Sequence, residues 1–207
     1  MWLFGALAGK SGYIIAFLLI ALVLAVFLLP QIRQSVMKLR SQQVMIAVTP
    51  GQAGNSGDSL VSLDIITVLG KDGIPSIDNP RFVGPGEADQ QMQSFERVLG
   101  VAINGDHRAY PLNMLSRHEI VNDTVGGVPV AVTFCPLCNS AIVFDRRLGS
   151  VVYDFGNSGT LRYSDLIMWD RQTESWWQQF TGEAIIVSLS GKRLRFVPAS
   201  IVSGRDL

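Results

Sequence analysis

The amino-terminal part of the chain carries one uninterrupted apolar run, from Tyr13 to Leu29, which Ser11 and Gly12 extend. Because a membrane-spanning helix needs roughly 17 to 25 residues, this run is long enough to cross a bilayer. It has no polar face, which argues against a helix packed on a soluble core. A cleaved signal peptide is the alternative, but its apolar part has only ~7 to 15 residues, and no Ala-x-Ala site follows the run. We therefore predict a transmembrane anchor over residues 1–30.

Residues 31–59 have a mixed pattern that separates the anchor from the rest of the chain. Ile32, Val36 and Leu39 fall on one face of a helix over 31–44. This segment is therefore either an amphipathic helix at the membrane surface or a solvated extension of the anchor. Thr49 to Ser59 has the Gly, Ser, Pro and Asn content of a flexible linker. We predict that the folded domain occupies residues 60–207.

From residue 60 onward, short apolar runs alternate with turn residues, which is the pattern of a β-rich domain. Asn104-Gly105 suits the positive φ angles of a type I′ hairpin turn, and Gly126-Gly127 marks a second hairpin. A third hairpin is expected to pair 141–145 with 151–155. Short helices are expected over 87–96 and 112–116, and further strands over 166–170, 184–189 and 194–197. The predicted fold is mainly β (α+β), a single β-rich domain preceded by one transmembrane helix.

Charge and composition narrow the classes of function. Lysine plus arginine and aspartate plus glutamate number 17 each, so the formal net charge is +0. No basic stripe is interleaved with aromatic residues, and we therefore predict no nucleic-acid partner. Hydrophobic residues make up 48% of the chain, which is enough for both a membrane anchor and a packed core.

The candidate chemistry lies at the only two cysteines, Cys135 and Cys138. Apolar runs over 130–134 and 141–144 flank them, so the pair is expected at a tight corner between two strands. Two thiols at this spacing can close a disulfide or hold a soft metal together. Pro136 fixes one φ angle between them and stiffens the corner.

Three interpretations of the cysteine pair remain open. As a redox-active dithiol, one cysteine attacks a substrate disulfide and the other resolves the mixed disulfide. As a metal site, the pair needs one or two further ligands. His107 and His118 are the only histidines in the sequence, and we name His118 as the candidate ligand. Such a site would take Cu or Zn, with Met114 or Met168 as a thioether ligand for copper. The third interpretation is a structural disulfide or two buried free thiols.

Three more residues are candidates for a catalytic role beside the cysteines. His118 is followed by the carboxylate of Glu119 and could act as a general base for a thiol. Arg146 could lower the pKa of a nearby thiol through its positive charge. The competing interpretations are backbone capping for the His-Glu stretch and an ordinary surface charge pair for Asp145 and Arg146.

The order of several segments resembles one uncharacterised bacterial and archaeal family, classed as a domain of unknown function. Its hallmark is Thr-[Tyr/Phe]-Cys-Pro-Leu-Cys downstream of His-Glu-Ile-Val-Asn-Asp. The segments that carry the resemblance are 71–75, 108–112, 118–123, 133–138, 144–146, 170–171 and 181–185. The resemblance implies an exported or membrane-tethered protein, and some members are labelled as candidate selenoproteins, which favours redox chemistry. Two departures are Asn139, where the family has Gly, and the end at Leu207, which implies that the final strands are missing.

We therefore predict a membrane-anchored thiol/disulfide redox protein that uses Cys135 and Cys138 and has a protein thiol or disulfide as its partner. The alternative is a non-catalytic Cu or Zn module that uses the two cysteines with His118. By resemblance, the domain is expected outside the cytoplasm. Arg33, Lys38 and Arg40 follow the anchor and favour the opposite orientation under the positive-inside rule.

Overall fold

A computed structural model describes residues 10–47, 60–186 and 188–204. It divides into two units, Met1–Ser41 and Gln42–Leu207. In the first unit, helix α1 (Lys10–Arg40) contains the segment Gly12–Val36, which is long and apolar enough to span a membrane. Its large apolar side chains are exposed, as lipid contact requires. The helix fits a single-pass membrane protein, and the same length and composition also fit a signal sequence.

The segment after the predicted anchor differs in part from the expectation. Helix α1 runs without a break through Pro30 to Arg40, and a strand begins at Ser41, so residues 41–44 are not helical. The predicted linker over 49–59 lies outside the described residues. The predicted domain boundaries at 30 and 59 stay predictions.

The described part of the second unit is rich in strands, which confirms the predicted fold class. Its two short helices are α2 (Pro85–Gln91) and α3 (Leu112–His118). The strands are β1 (Ser41–Ala47), β2 (Leu60–Thr67), β3 (Ile77–Asp78), β4 (Arg97–Ile103), β5 (Asp106–Pro111), β6 (Ile120–Val125), β7 (Val128–Cys135), β8 (Ser140–Asp145), β9 (Arg147–Leu148), β10 (Val151–Val152), β11 (Phe155–Arg162), β12 (Asp165–Asp170), β13 (Trp176–Gln178), β14 (Glu183–Ile186), β15 (Arg195–Val197) and β16 (Ala199–Ser203).

These strands form two larger and two smaller sheets. The six-stranded sheet has the order β1-β2-β11-β12-β13-β14, and the five-stranded sheet has the order β15-β8-β7-β6-β3. A three-stranded sheet, β16-β4-β5, and the pair β10-β9 complete the set. The two-residue strand β3 runs parallel to β6, whereas β6, β7, β8 and β15 pair antiparallel. The cysteine pair belongs to the hairpin of β7 and β8.

Strand β7 is buried on both faces. Successive side chains of a strand point to opposite sides of its sheet. Val130, Val132 and Phe134 belong to one hydrophobic cluster, together with residues of β4, β5 and α3. Ala131 and Cys135 belong to a second cluster, together with residues of the six-stranded sheet. The strand that delivers Cys135 is therefore fixed by packing from both sides.

Two of the three predicted hairpins are confirmed. Asn104 and Gly105 have φ angles of 49° and 80°, as a type I′ turn between β4 and β5 requires. Gly126 and Gly127 also have positive φ angles and connect β6 to β7. The third hairpin is wrong as predicted, because β8 pairs with β7 and β15 and does not pair with 151–155. Instead, β9 and β10 form a two-residue ladder.

The third hairpin differs from the prediction because the end of β8 is held by contacts with other segments. Asp145 is buried, and its carboxylate accepts hydrogen bonds from Arg147 of β9 and Arg195 of β15. These bonds hold the pKa of the Asp145 carboxyl well below its ordinary value, mainly through Arg147. Strand β8 thus has β7 on one edge and β15 on the other, which leaves no edge for residues 151–155, and Phe155 enters the six-stranded sheet.

Candidate thiol and metal site

The cysteines lie at the tip of the β7–β8 hairpin. Strand β7 ends at Cys135, β8 begins at Ser140, and these two residues are partners across the hairpin. Residues 136–139 form the turn between them. Asn139 has a φ angle of 51°, in the left-handed region where Gly and Asn are the favoured residues. Asn139 can therefore take the place of the expected glycine without changing the turn.

The two thiols have different environments. Cys135 is 1% exposed and lies in the core, whereas Cys138 is exposed. Both are free thiols, and the sulfur of Cys135 lies 3.6 Å from the carbonyl oxygen of Ser164. Burial, and after it the hydrogen bond with Cys138, raises the pKa of the Cys135 thiol to about 12. Cys138 is thus the thiol that a partner in solution can reach.

A carboxylate from the other large sheet completes the group. The β11–β12 hairpin turns at Tyr163 and Ser164, which both have positive φ angles, and places Asp165 next to the cysteines. Oδ1 of Asp165 lies 3.5 Å from Sγ of Cys138. One oxygen of Asp165 and the two sulfur atoms all lie within 4.8 Å of one another. These three residues could hold a metal ion.

Asp165 is held in a fixed orientation. It is 4% exposed, and its Oδ2 accepts hydrogen bonds from the Phe180 amide, at 2.9 Å, and from the Gln178 side chain. Arg162 donates to Oε1 of Gln178 at 3.4 Å. Within the described ranges, Asp165 itself makes no ion pair. The carboxylate is therefore buried and hydrogen-bonded through both oxygens, since the Cys138 thiol donates to its Oδ1.

Gln179 links the two large sheets beneath the turn. Its side chain is fully buried, and its Nε2 donates to Oγ1 of Thr133 in β7 at 3.0 Å. Its Oε1 accepts a hydrogen bond from Oγ of Ser140 at 2.9 Å. The same Ser140 oxygen lies 3.1 Å from Sγ of Cys138. Gln179 therefore ties the cysteine hairpin to the chain that follows β13.

The structure places His118 at the end of helix α3, where its Nδ1 lies 2.9 Å from the carbonyl oxygen of Pro75. Because a carbonyl only accepts, Nδ1 is assigned as the protonated nitrogen, which leaves Nε2 as the acceptor of the neutral ring. The group of metal-ligating atoms contains Asp165 and does not include His118. A role for His118 as base or ligand stays a prediction.

Glu119 ends helix α3 in the left-handed conformation, with a φ angle of 58°, and its amide donates to the carbonyl of Leu115. Its side chain accepts a hydrogen bond from Asn157 of β11. Burial raises the pKa of the Glu119 carboxyl, against the opposing effect of the bond from Asn157. These contacts give Glu119 a capping and sheet-linking role, and its catalytic role stays a prediction.

Arg146 lies just beyond the opposite end of β8 from the cysteines. It lies six positions after Ser140 in the sequence, which is roughly 20 Å of extended strand. It is 7% exposed and donates to the Asp154 carboxylate and to the carbonyls of Tyr153 and Asp123. These contacts join β6, β8 and the start of β11. An effect of Arg146 on the thiols stays a prediction.

Three residues of the site, Asp165, Gln178 and Gln179, are not among those predicted from the sequence. One signal was present, because two glutamines stand between Trp177 and Phe180 in an otherwise apolar stretch. Amides at such positions are buried only when they are hydrogen-bonded. Asp165 gave no signal, since an aspartate after Tyr163-Ser164 is typical of an ordinary turn.

No curated protein and no solved structure matches this chain. A family model described as "Protein of unknown function (DUF3179)" matches residues 71–206. This range contains the cysteine hairpin, Asp165 and Gln179. The hallmark pattern of the family and the selenoprotein label of some of its members stay expectations from the resemblance. Because the match covers well over half of the sequence, the chain belongs to the DUF3179 family.

Proposed function

We propose that the domain carries out thiol–disulfide exchange through Cys138 and Cys135. The observation that carries the proposal is the pairing of an exposed thiol with a buried thiol, within 4.8 Å, on one rigid hairpin. This arrangement divides the two roles of a redox dithiol between the cysteines. Cys138 is exposed and attacks the partner disulfide. Cys135 is buried in the core and resolves the mixed disulfide.

The reaction proceeds in two displacement steps. The thiolate of Cys138 attacks one sulfur of a partner disulfide, the partner's S–S bond breaks, and its other sulfur leaves as a thiolate. Cys135 then attacks the sulfur of Cys138, which breaks the mixed disulfide and releases the second partner thiol. The partner gains two electrons, the cysteine pair loses two, and the two cysteine protons end on the partner thiols. The reverse sequence oxidises a partner dithiol.

The proposal predicts a different outcome for each cysteine variant with the aromatic disulfide dithiobis(nitrobenzoate). In detergent-solubilised full chain, the wild type should release two thionitrobenzoates and retain none, because Cys135 displaces the second. Cys135→Ser should release one and retain one as a stable mixed disulfide on Cys138. In Cys138→Ser, burial of Cys135 should slow the reaction by about a hundredfold or more.

Absorbance gives the released thionitrobenzoate, and mass spectrometry of the intact chain gives the retained adduct. Ser116→Ala is the control variant, because it removes an exposed hydroxyl from helix α3 and leaves both cysteines in place, so it should behave as the wild type. A wild type that keeps an adduct on each cysteine would show that the pair does not close, and it would remove the exchange function.

A second candidate function is a non-catalytic metal-binding module, favoured by the convergence of Cys135, Cys138 and Asp165. The sequence predicted Cu or Zn for such a module. A carboxylate oxygen beside two thiolates suits Zn(II), whereas Cu(I) prefers soft ligands throughout. Stoichiometric metal in the purified chain, together with a cysteine pair that never closes, would favour this module over exchange.

We also propose that helix α1 anchors the chain and that the β-rich unit lies outside the cytoplasm. Disulfide partners persist in oxidising compartments, which supports this location for an exchange protein. The basic residues Arg33, Lys38 and Arg40 favour the opposite orientation, although long domains can cross a membrane despite flanking charge. Alkaline phosphatase fused to the carboxyl terminus should be active in a bacterial host, because that enzyme folds only after export. A stable but inactive fusion would place the unit in the cytoplasm.

A further inference from the structure

We infer that the reduced cysteine pair and Asp165 form a regulatory site for one zinc-class divalent cation, and that the cation and the disulfide exclude each other. The inference rests on the proposed exchange function and names how it is controlled. The ligands are Sγ of Cys135, Sγ of Cys138 and Oδ1 of Asp165. A cation at these atoms would hold the pair reduced and prevent exchange with a partner.

The spacing of the ligand atoms fits tetrahedral zinc. Zn–S bonds of about 2.3 Å and Zn–O bonds of about 2.0 Å place a sulfur and an oxygen ligand about 3.5 Å apart at the tetrahedral angle. Cys138 Sγ and Asp165 Oδ1 lie 3.5 Å apart. Two sulfur ligands would lie about 3.8 Å apart. The sulfur of Cys135 is within 4.8 Å of both other atoms, so a small movement completes the set.

The state of Asp165 is an independent observation that indicates a cation. A buried carboxylate is costly unless it is paired or coordinates a metal. Asp165 is 4% exposed, and it makes no ion pair with any residue that the structure describes. Gln178 and the Phe180 amide hold its Oδ2, and its Oδ1 accepts a hydrogen bond from the Cys138 thiol, whose proton a cation would replace. Outer partners of this kind orient the carboxylates of metal sites.

The ligand set also determines the class of cation and the open position. Three protein ligands leave the fourth tetrahedral position for water or another small ligand. Because Cys138 is exposed, solvent can reach the site from its side. The hard oxygen of Asp165 favours Zn(II) over Cu(I).

Cation and disulfide cannot be present together, because a disulfide requires an S–S distance of about 2.05 Å, and metal-bound thiolates lie about 3.8 Å apart. Closure of the pair by a partner disulfide therefore releases the cation. Two electrons pass from the cysteine sulfurs to the partner disulfide, the cysteines become one disulfide, and the cation leaves with its charge unchanged. Zinc has no redox chemistry of its own and takes no electrons.

The test measures the reaction of reduced full chain with dithiobis(nitrobenzoate), with and without added zinc chloride. We expect zinc to slow thionitrobenzoate release at least tenfold in the wild type, and a chelator to reverse the effect. We define zinc protection as the rate of thionitrobenzoate release without zinc divided by the rate with zinc. In Asp165→Asn, this ratio should be at least tenfold lower than in the wild type. Asp89→Asn changes an exposed carboxylate on helix α2 and should keep the wild-type ratio.

A second measurement does not depend on the folding of a variant. Cobalt(II) added to the reduced wild type should give the sulfur-to-cobalt absorption band of two thiolates and the visible bands of a tetrahedral site. Oxidation of the pair should abolish both sets of bands. An absent sulfur-to-cobalt band, or equal zinc protection in wild type and Asp165→Asn, would overturn the inference.

The outcomes separate this inference from the exchange function. A wild type that closes its disulfide equally fast with and without zinc overturns the cation site and leaves exchange intact. A wild type that binds cobalt but never closes the pair, even without metal, overturns both the exchange function and the regulation that rests on it.

Discussion

Gly159→Ala should destabilise the β-rich unit by about 3 to 5 kcal/mol, because neither the backbone nor the surrounding space accepts a side chain there. Gly159 has a φ angle of 73°, and an added Cβ would lie 2.3 Å from the carbonyl oxygen of Leu69 and 2.6 Å from that of Gly70. Both contacts are with backbone, which cannot rotate away. Gly159 also accepts hydrogen bonds from the amides of Val68 and Leu69, so movement would break the contact with the chain that follows β2.

Urea unfolding of the full chain, followed by tryptophan fluorescence, measures this loss. Gly105→Ala is the matched control, because Gly105 has a φ angle of 80° but an added Cβ would meet nothing within 4 Å. Gly105→Ala should lower the free energy of unfolding by only about 1 kcal/mol, because alanine is strained at a positive φ angle but meets no other atom. Equal losses in the two variants would show that the close approach at Gly159 is not what limits substitution.

Gln179→Ala should lower the free energy of unfolding by about 3 kcal/mol, because it leaves a cavity and removes the hydrogen-bond partner of two hydroxyl groups. The side chain is fully buried and joins Thr133 of β7 to Ser140 of β8. After the substitution, Oγ of Ser140 loses its acceptor while it remains beside Cys138. The cysteine hairpin would then be held to the six-stranded sheet by fewer contacts.

The same unfolding experiment measures this effect, with Gln172→Ala as its control. Gln172 is exposed, and among the described residues its side chain bonds only to Asp154, so its replacement should lower the free energy of unfolding by less than about 1 kcal/mol. If both glutamine variants lose the same free energy of unfolding, the buried amide of Gln179 does not stabilise the contact between the sheets.

The elements that sequence could predict are those with local causes. Asn104-Gly105 and Gly126-Gly127 determine their hairpins through the φ angles that their own residues allow. The partner of β8 could not be predicted in this way, because Arg195 lies 50 residues from Asp145 along the chain. Nothing local in 141–155 distinguishes a hairpin from a strand that pairs with a distant segment.

The candidate site likewise has a part that the local sequence predicts and a part that depends on distant segments. The cysteine pair is a local motif, so its corner between two strands could be predicted from the flanking apolar runs. Asp165 lies in β12 of the other large sheet and Gln179 in the connection between its strands β13 and β14, and only the packing of the two sheets brings them to the cysteines. His118 is much closer in sequence to its neighbour Glu119 than to the cysteines, and that proximity suggested a cluster. In the fold, these two side chains contact Pro75 and Asn157.

The origin of the site in two hairpins also sets an order during synthesis. Cys138 leaves the ribosome 27 residues ahead of Asp165, and Ser140 leaves it 39 residues ahead of Gln179. Synthesis proceeds at ~5 to 20 residues per second, so roughly 2 to 8 s pass between the synthesis of the cysteine hairpin and that of the segment that completes the site. In that interval both thiols are unshielded, and no carboxylate is present to hold a cation beside them. An oxidant that reached the nascent chain in that interval would act before the features that later distinguish Cys135 from Cys138 exist.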